Sequence, residues 1–456
     1  MSKLLYSLLV TIPIIVITVG MSGCVSHKEY RTAHKTCIVK QQETLCESSS
    51  QEQHDGYLLN FVEFDDQGLL WDREQLTNVV NTLRSQEYLD SGVIMIVFVH
   101  GWQHNASFDD PNVIEFRKML RRVHKLEYLA AKQEKRSTRK VAGIFASWRG
   151  RSVPGDVISN LTFWDRKNVA NTVGHGAVTE LLLQLENVQI AHFDADKKKG
   201  KHNGQTRLIL VGHSFGGQIV YSALSQVLLD RFLDLEGEPP QTFGDLVILV
   251  NPAFEAGRYA PLRDASLQRK YPAGQLPLVT IFTSKNDGAT GTAFPIGRWF
   301  STMFEQTRDD VEEKANRTAI GHFKPFVSHS LTWEKEASAL TVPIAEDKKR
   351  SLEDESIELK HIENDLSALP ALQKEWSQKS SQNGWALDFG NVKLTHLKTT
   401  DPLNPFYNVE VDSAIIDGHS GIWKPEFANF LRQFIVFSVL VTENSSETGN
   451  TGLHKE

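Results

Sequence analysis

The sequence predicts an α/β protein built on a doubly wound, mostly parallel sheet, and three observations carry that prediction. Short β-branched runs with almost no polar residue recur along the chain, as in Ile94-Met95-Ile96-Val97-Phe98-Val99. Near-continuous apolar strands suit a sheet covered on both faces, because a half-exposed strand would alternate. Amphipathic stretches of ten or more residues separate these runs, the length a crossover between parallel strands requires. Composition agrees: of 456 residues 40% are hydrophobic and 23% charged, enough for a large core and too apolar for a disordered chain. Such a length suits two or three domains, or one large α/β domain with an insertion.

In chain order the expected strands are Tyr57–Phe64, Val93–Val99, Val141–Ala146, Arg207–Val211, Asp245–Val250, Leu278–Phe282 and Tyr407–Val411. Helical periodicity falls at Asp72–Leu89, Pro111–Lys132, Asp165–Ala191, Phe215–Phe232, Glu255–Arg269 and Pro425–Phe437. The core therefore occupies 56–287 and 406–440. The interval 288–405 breaks the alternation: it is more polar and holds a charged helical stretch from Glu346 to about Gln378, interrupted at Pro370. An insertion of that length has structure of its own and is expected as a cap or lid on the core. Residues 441–456 form a polar tail.

Charge excludes one class of partner. Net charge is -7, and the basic runs, such as Lys197-Lys198-Lys199-Gly200-Lys201, lie in solvated loops and helix ends rather than on one face. Nucleic acid is not an expected partner.

The N-terminus reads as an export signal. Lys3 precedes the apolar run Leu4 to Val19, and small residues follow at Gly20-Met21-Ser22-Gly23 before Cys24. Met21-Ser22-Gly23-Cys24 resembles a bacterial lipobox. The resemblance implies removal of residues 1–23 and attachment of lipid to the Cys24 thiol and amine. A plain transmembrane anchor is the alternative, since the run is about long enough to span a bilayer. Val25 is not Asp, which in the Gram-negative pattern favours the outer membrane over the inner. Residues 24–55 then form a polar tether on the periplasmic side. Cys37 and Cys46 remain, and an exported compartment permits them to pair.

One constellation carries chemistry. Arg207-Leu208-Ile209-Leu210-Val211 runs directly into Gly212-His213-Ser214-Phe215-Gly216-Gly217, and a helical pattern follows. In a strand–Gly-x-Ser-x-Gly–helix layout the chain reverses so sharply that the serine is strained and its hydroxyl projects from the sheet edge. Glycines two residues either side remove the Cβ atoms that would collide.

A serine needs a base to take its proton and an acid to orient that base. Two strands on, Leu278–Phe282 leads to Asp287, just past a strand end. His419 lies in Ile416-Asp417-Gly418-His419, between the last strand and the last helix. His322 and His329 compete as bases from within the insertion, and Asp417 competes as the acid. An oxyanion needs two backbone donors. One is Phe215 N–H; the other is Trp102 N–H, in the loop His100-Gly101-Trp102 after an earlier strand.

That order of strand, His-Gly loop, elbow, acid strand and terminal His loop resembles the α/β-hydrolase superfamily over Tyr57–Asp287 and Tyr407–Phe437. Trp148-Arg149-Gly150, Leu161–Asn168 and Ile416-Asp417-Gly418-His419 are similar to an uncharacterised bacterial and fungal family of serine esterase-like hydrolases. The resemblance implies a catalytic triad of Ser214, Asp287 and His419 with an oxyanion hole at Trp102 and Phe215. An insertion between acid and base departs from the commonest arrangement, which places the cap one strand earlier. Trp148 and Arg149 either line a pocket at a strand's carboxyl end or simply pack, and Asn251-Pro252 reads as a turn. No phosphate loop, His-Glu-x-x-His helix or Ca²⁺ loop occurs in the sequence, so no metal or cofactor is expected.

The expected function is hydrolysis of small-molecule or lipid carboxylic esters through an acyl-enzyme. Lipase, thioesterase or acyltransferase chemistry on the same triad is the alternative, and a non-catalytic envelope binding protein is another. The sequence leaves the oligomeric state open.

Overall fold

A computed structural model describes residues 27–39, 46–151, 163–200, 206–233, 243–302, 305–334 and 352–440. The signal segment 1–23, Cys24 and the tail 441–456 lie outside the described residues.

Among the described residues twelve strands form one sheet. They are β1 (Cys37–Ile38), β2 (Gln51–Gln53), β3 (Tyr57–Phe64), β4 (Val93–Val99), β5 (Lys140–Trp148), β6 (Arg207–His213), β7 (Leu246–Val250), β8 (Val279–Ser284), β9 (His329–Trp333), β10 (Ala386–Phe389), β11 (Val392–His396) and β12 (Phe406–Val411). Their spatial order is β1-β2-β3-β5-β4-β6-β7-β8-β12-β9-β11-β10. From β3 to β9 every pairing is parallel, whereas β2 meets β3, β11 meets β9 and β10 meets β11 antiparallel.

The parallel centre is doubly wound, and β4 shows why its sequence is apolar throughout. Val93, Met95, Val97 and Val99 enter the core on one face, with α1 (Arg73–Leu83), α4 (Phe163–Gly174), α5 (Ala177–Lys198), α6 (Phe215–Leu233) and α7 (Ala256–Leu267). Ile94, Ile96 and Phe98 enter the core on the other, with α3 (Pro111–Glu134), α10 (Leu352–Lys379) and α11 (Pro425–Ile435). Full burial of one such side chain contributes about 1.5–3 kcal/mol relative to exposure. Short helices α2 (Gln86–Ser91), α8 (Phe294–Ser301) and α9 (Asp310–Arg317) complete the described α-helices.

Helix starts follow local chemistry. Asp72 accepts the Glu74 N–H at 2.7 Å, and Asp110 accepts the Asn112 N–H at 2.8 Å with Pro111 opening the helix. The single helix expected over Asp165–Ala191 is two. Gly176 divides them because the Gly68 carbonyl comes so near that a Cβ at 176 would lie 2.3 Å from its oxygen; Ala177 N–H donates to that same oxygen. The stretch Asp72–Leu89 is likewise divided, at Arg84-Ser85. By contrast α10 runs through Pro370 rather than stopping there.

Two expected boundaries differ from the fold. The interval 288–405, expected as a lid, supplies β9, β10 and β11 and is in that part an extension of the sheet. The tether expected over 24–55 carries β1 and β2 and a buried ion pair, Arg31 to Glu52 at 2.9 Å. Burial would raise the Glu52 carboxyl, but hydrogen bonds from His54 and Arg117 and the charge of Arg31 hold it at about 2. Cys37 and Cys46 form a disulfide beside that pair, and Arg31 donates to the Cys46 carbonyl at 2.8 Å.

Candidate active site

The parallel strands end at one rim, and Ser214 stands there between β6 and α6. Its φ of 56° is left-handed, a conformation that costs a non-glycine residue roughly 1 kcal/mol or more. The surroundings over-determine it. Ser214 N–H donates to the Val250 carbonyl at 3.0 Å, while the Ser214 carbonyl accepts from Ala253 and Gln218. A Cβ at Gly216 would sit 2.0 Å from the Val99 oxygen, and one at Gly212 would sit 2.8 Å from the Gly216 oxygen. The motif's glycines are thus required by close backbone approach.

His419 faces the serine across the sheet. Ser214 Oγ donates to His419 Nε2 at 2.6 Å, and His419 Nδ1 donates to both Asp287 oxygens at 2.9 Å. The Asp287 side chain is inaccessible to solvent, while that of His419 is 22% exposed, so the imidazole alone of the pair meets water. Burial pushes the Asp287 carboxyl up, but His419 and Thr290 outweigh it and hold it below the usual carboxylate range. Among the described contacts, the three side chains form an unbroken chain from hydroxyl to carboxylate. A hydroxyl so placed can pass its proton to the imidazole as it attacks an electrophile.

The carboxylate is held by more than the histidine. Ala289 and Thr290 N–H groups donate to Asp287 Oδ1 at 3.0 and 3.1 Å, and the Thr290 hydroxyl donates to Oδ2. That hydroxyl has one proton, already committed, so its 2.9 Å contact with His322 Nε2 makes His322 the donor. His322 therefore stands behind the acid, not beside the serine, and burial lowers its pKa. His329 lies in β9 with its ring 4.0 Å from that of Tyr407, and Asp417 is exposed.

Three residues that sequence reasoning passed over hold the His419 loop. His213 Nε2–H donates to the His419 carbonyl at 2.8 Å. Asn251 donates to the Gly418 and His419 carbonyls at 3.1 and 2.8 Å, and its own oxygen accepts the Ser284 N–H. Ser284 Oγ donates to the Ile416 carbonyl at 2.6 Å. Asn251 does turn, with φ 46°, yet its side chain also clamps a loop more than 160 residues away. His213 was in view as the x of Gly-x-Ser-x-Gly; nothing in the pattern marks that position as a loop anchor. Burial, with the charge of His419 beyond it, lowers the His213 pKa to about 3, so the ring stays a neutral donor.

The His100-Gly101-Trp102 loop comes to the same place. A Cβ at Gly101 would lie 2.9 Å from Ser214 Cβ, so only glycine admits the loop this close to the elbow. Gln103 adopts φ 72° and donates to the Gly150 carbonyl at 3.0 Å. Phe215 opens α6, where a backbone N–H has no partner within the helix. Trp148 is buried and its indole N–H donates to the His100 carbonyl at 3.0 Å, a packing role rather than a pocket wall. Arg149 pairs with Asp66. Aromatic rings pack beside the elbow: Trp102 meets Phe163 edge-on at 5.5 Å, and Phe163 lies 4.8 Å from Phe215.

No protein-family model matches the sequence, and comparison with curated proteins finds no match. Among solved structures the chain is similar to phospholipase PlaB from Legionella pneumophila in complex with thio-NAD. That similarity has 14% sequence identity and a TM-score of 0.21, over 42% of this chain and 38% of the phospholipase. The chain thus spans well under half the length of that protein.

Proposed function

We propose that this chain is a serine hydrolase that cleaves carboxylic esters through Ser214, His419 and Asp287. The observation that carries the reading is the continuous relay Ser214 Oγ–His419 Nε2 at 2.6 Å and His419 Nδ1–Asp287 at 2.9 Å. Ser214 Oγ attacks the acyl carbon while its proton passes to His419 Nε2. The carbonyl oxygen becomes an oxyanion, received by the N–H groups of Trp102 and Phe215, a donor of this kind contributing about 2.7–4 kcal/mol to the transition state. Asp287 keeps Nδ1 protonated and balances the imidazolium. When the intermediate collapses, His419 hands its proton to the departing alcohol and the acyl group stays on Ser214. Water then loses a proton to His419 and attacks the acyl carbon. As that second intermediate collapses, the bond to Ser214 breaks, His419 returns the proton to Ser214 Oγ and the acid is freed.

An ester is the substrate class because the chain carries a hydrolase-like site and no protease signature. The lipobox resemblance supports a position in the cell envelope, with a lipid anchor at Cys24 and the periplasmic side of the outer membrane favoured over the inner.

A fluorophosphonate probe and a series of p-nitrophenyl esters test the reading. The protein is expected to be labelled and to turn over at least one ester, and Ser214→Ala to do neither. Equal labelling of both would remove Ser214 as the nucleophile. Labelling without turnover of any ester would move the chemistry to thioester, amide or acyl transfer.

A further inference from the structure

The rim that carries Ser214 also gathers exposed apolar side chains. Leu69, in the turn after β3, is 61% exposed; Ile296 and Trp299, on α8 after β8, are 57% and 49% exposed. One helix start joins the two places. Arg166 donates to Asp66 at 2.9 Å in the Leu69 turn, and the Trp164 indole lies against Gly297 so closely that a Cβ there would be 1.8 Å from the ring. From α8 a row of rings leads inward. Phe294 lies 5.8 Å from Trp164, Trp164 lies 5.3 Å from Phe163, and Phe163 touches both Trp102 and Phe215 beside the serine.

The chain also enters the described structure at this rim. The His27 ring packs 4.8 Å from that of Trp71, and the Trp71 backbone N–H donates to the Glu63 carbonyl at the end of β3. The sequence immediately before His27 holds the apolar run Leu4 to Val19 and Cys24. His27, the exposed apolar side chains and the serine therefore share one rim of the sheet.

We propose that this rim is a membrane-docking face, with Leu69, Ile296 and Trp299 entering the headgroup boundary of a phospholipid bilayer and the aromatic row leading an acyl chain to Ser214. Partly apolar, partly polar indole rings suit that boundary. Charge has a small part in it: the chain is acidic overall, and Arg73, Arg149 and Lys324 pair with Glu180, Asp66 and Glu410. Docking is therefore apolar, works on zwitterionic lipid and changes little with salt. The substrate half of the proposal rests on the ester hydrolase reading; the docking half does not.

The test uses the full chain with phosphatidylcholine vesicles brominated in their acyl chains. Bromine is expected to quench part of the emission of the nine tryptophans, and Trp299→Phe to lose a measurable part of that quenching. Ile296→Ser and Leu69→Ser are expected to slow turnover of an ester held in the vesicles by about tenfold, leaving a soluble short-chain ester unchanged. Quenching identical in Trp299→Phe overturns the proposal. So does a shift from dimer to monomer in sedimentation of Ile296→Ser without quenching, which would give the face to a second copy of the chain. Trp299-dependent quenching with no turnover of any ester keeps the docking face and removes the hydrolase reading instead.

Discussion

β4 and β11 belong to the same sheet, yet they obey different sequence rules. Every residue of β4 is buried, whereas β11 alternates buried and half-buried positions. β4 lies between β5 and β6 with helices on both faces, so Val-Ile-Met-Ile-Val-Phe-Val is what the environment selects. β11 lies near the far end between β9 and β10, and its Val-Lys-Leu-Thr-His keeps every second residue toward water. The parallel centre positions Ser214 and Asp287. The antiparallel end is coupled to the site all the same: β9 pairs with β12, whose following loop bears His419. Chemistry can thus be readable in one part of a sheet while depending on another part that is not.

The largest expected effect tests the parallel half. Asp287→Asn should lower kcat for a soluble ester by about 10⁴-fold, because an amide fails to hold His419 in the tautomer that accepts the serine proton. Labelling by a fluorophosphonate should slow to a similar degree. A loss below tenfold would return the acid's role to another carboxylate and break the division between the two halves. The acid limb of the rate profile should not come from His213 or His100, which burial keeps neutral with pKa values of about 3 and 4.

The second prediction tests the antiparallel end. Trp385 is buried, donates its indole N–H to the Pro402 carbonyl at 2.9 Å and meets the Trp376 ring at 5.1 Å. Trp385→Ala should cost about 3–5 kcal/mol of stability through the cavity it leaves. Calorimetry decides how the halves are joined. One transition at lower temperature means the extension melts with the centre; two separated transitions mean it is a unit of its own, and the pairing of β9 with β12 then transmits little.

Legibility follows burial on two faces. Most of the seven core strands were readable because apolar residues dominate them, and Ser214, Asp287 and His419 could be singled out because strand ends fix where such groups stand. β1, β2 and the antiparallel strands were not, since two to five residues with polar members look like loop. His213 and Asn251 were missed for a different reason. Each serves a backbone carbonyl of a loop distant in sequence, and no residue pattern near 213 or 251 encodes that partner. Thr290 and His322 share this property, being joined only by folding.

Those last two sharpen the comparison further, since both come from the interval expected as a lid. Thr290→Val removes the hydroxyl that donates to Asp287 and should lower kcat by roughly 10–100-fold, the loss of a hydrogen bond to a charged group. KM should hardly move, and Thr290→Ser should restore most of the rate. His322→Gln, which keeps a donor near the Nε2 position, should stay closer to the parent than His322→Leu. A rise in KM with kcat unchanged would show that the interval shapes substrate binding rather than the acid.

The smallest effect lies at the opposite edge, where β3 meets the N-terminal segment. Glu63 accepts the N–H groups of Tyr30 and Arg31 at 3.1 and 2.7 Å, and burial, opposed by those bonds, pushes its carboxyl up to about 7 from an ordinary 4.5. A carboxyl raised on folding binds its proton more readily in the native state, so folding takes up a proton between those two values. Its contribution is present below about pH 4.5 and is lost as pH rises through 7. This runs opposite to Asp287, whose lowered carboxyl stabilises the fold above its ordinary range and loses that contribution on acidification. Between pH 5 and 8 the N-terminal segment should therefore loosen as pH rises, seen as falling protection of the Tyr30 and Arg31 amides relative to their intrinsic exchange rates. Glu63→Gln, neutral throughout, should flatten that dependence and shift the melting temperature at pH 8 upward by about 2 °C. Unchanged protection across the window would mean that this edge, like the parallel centre, is held by packing and not by the proton on Glu63.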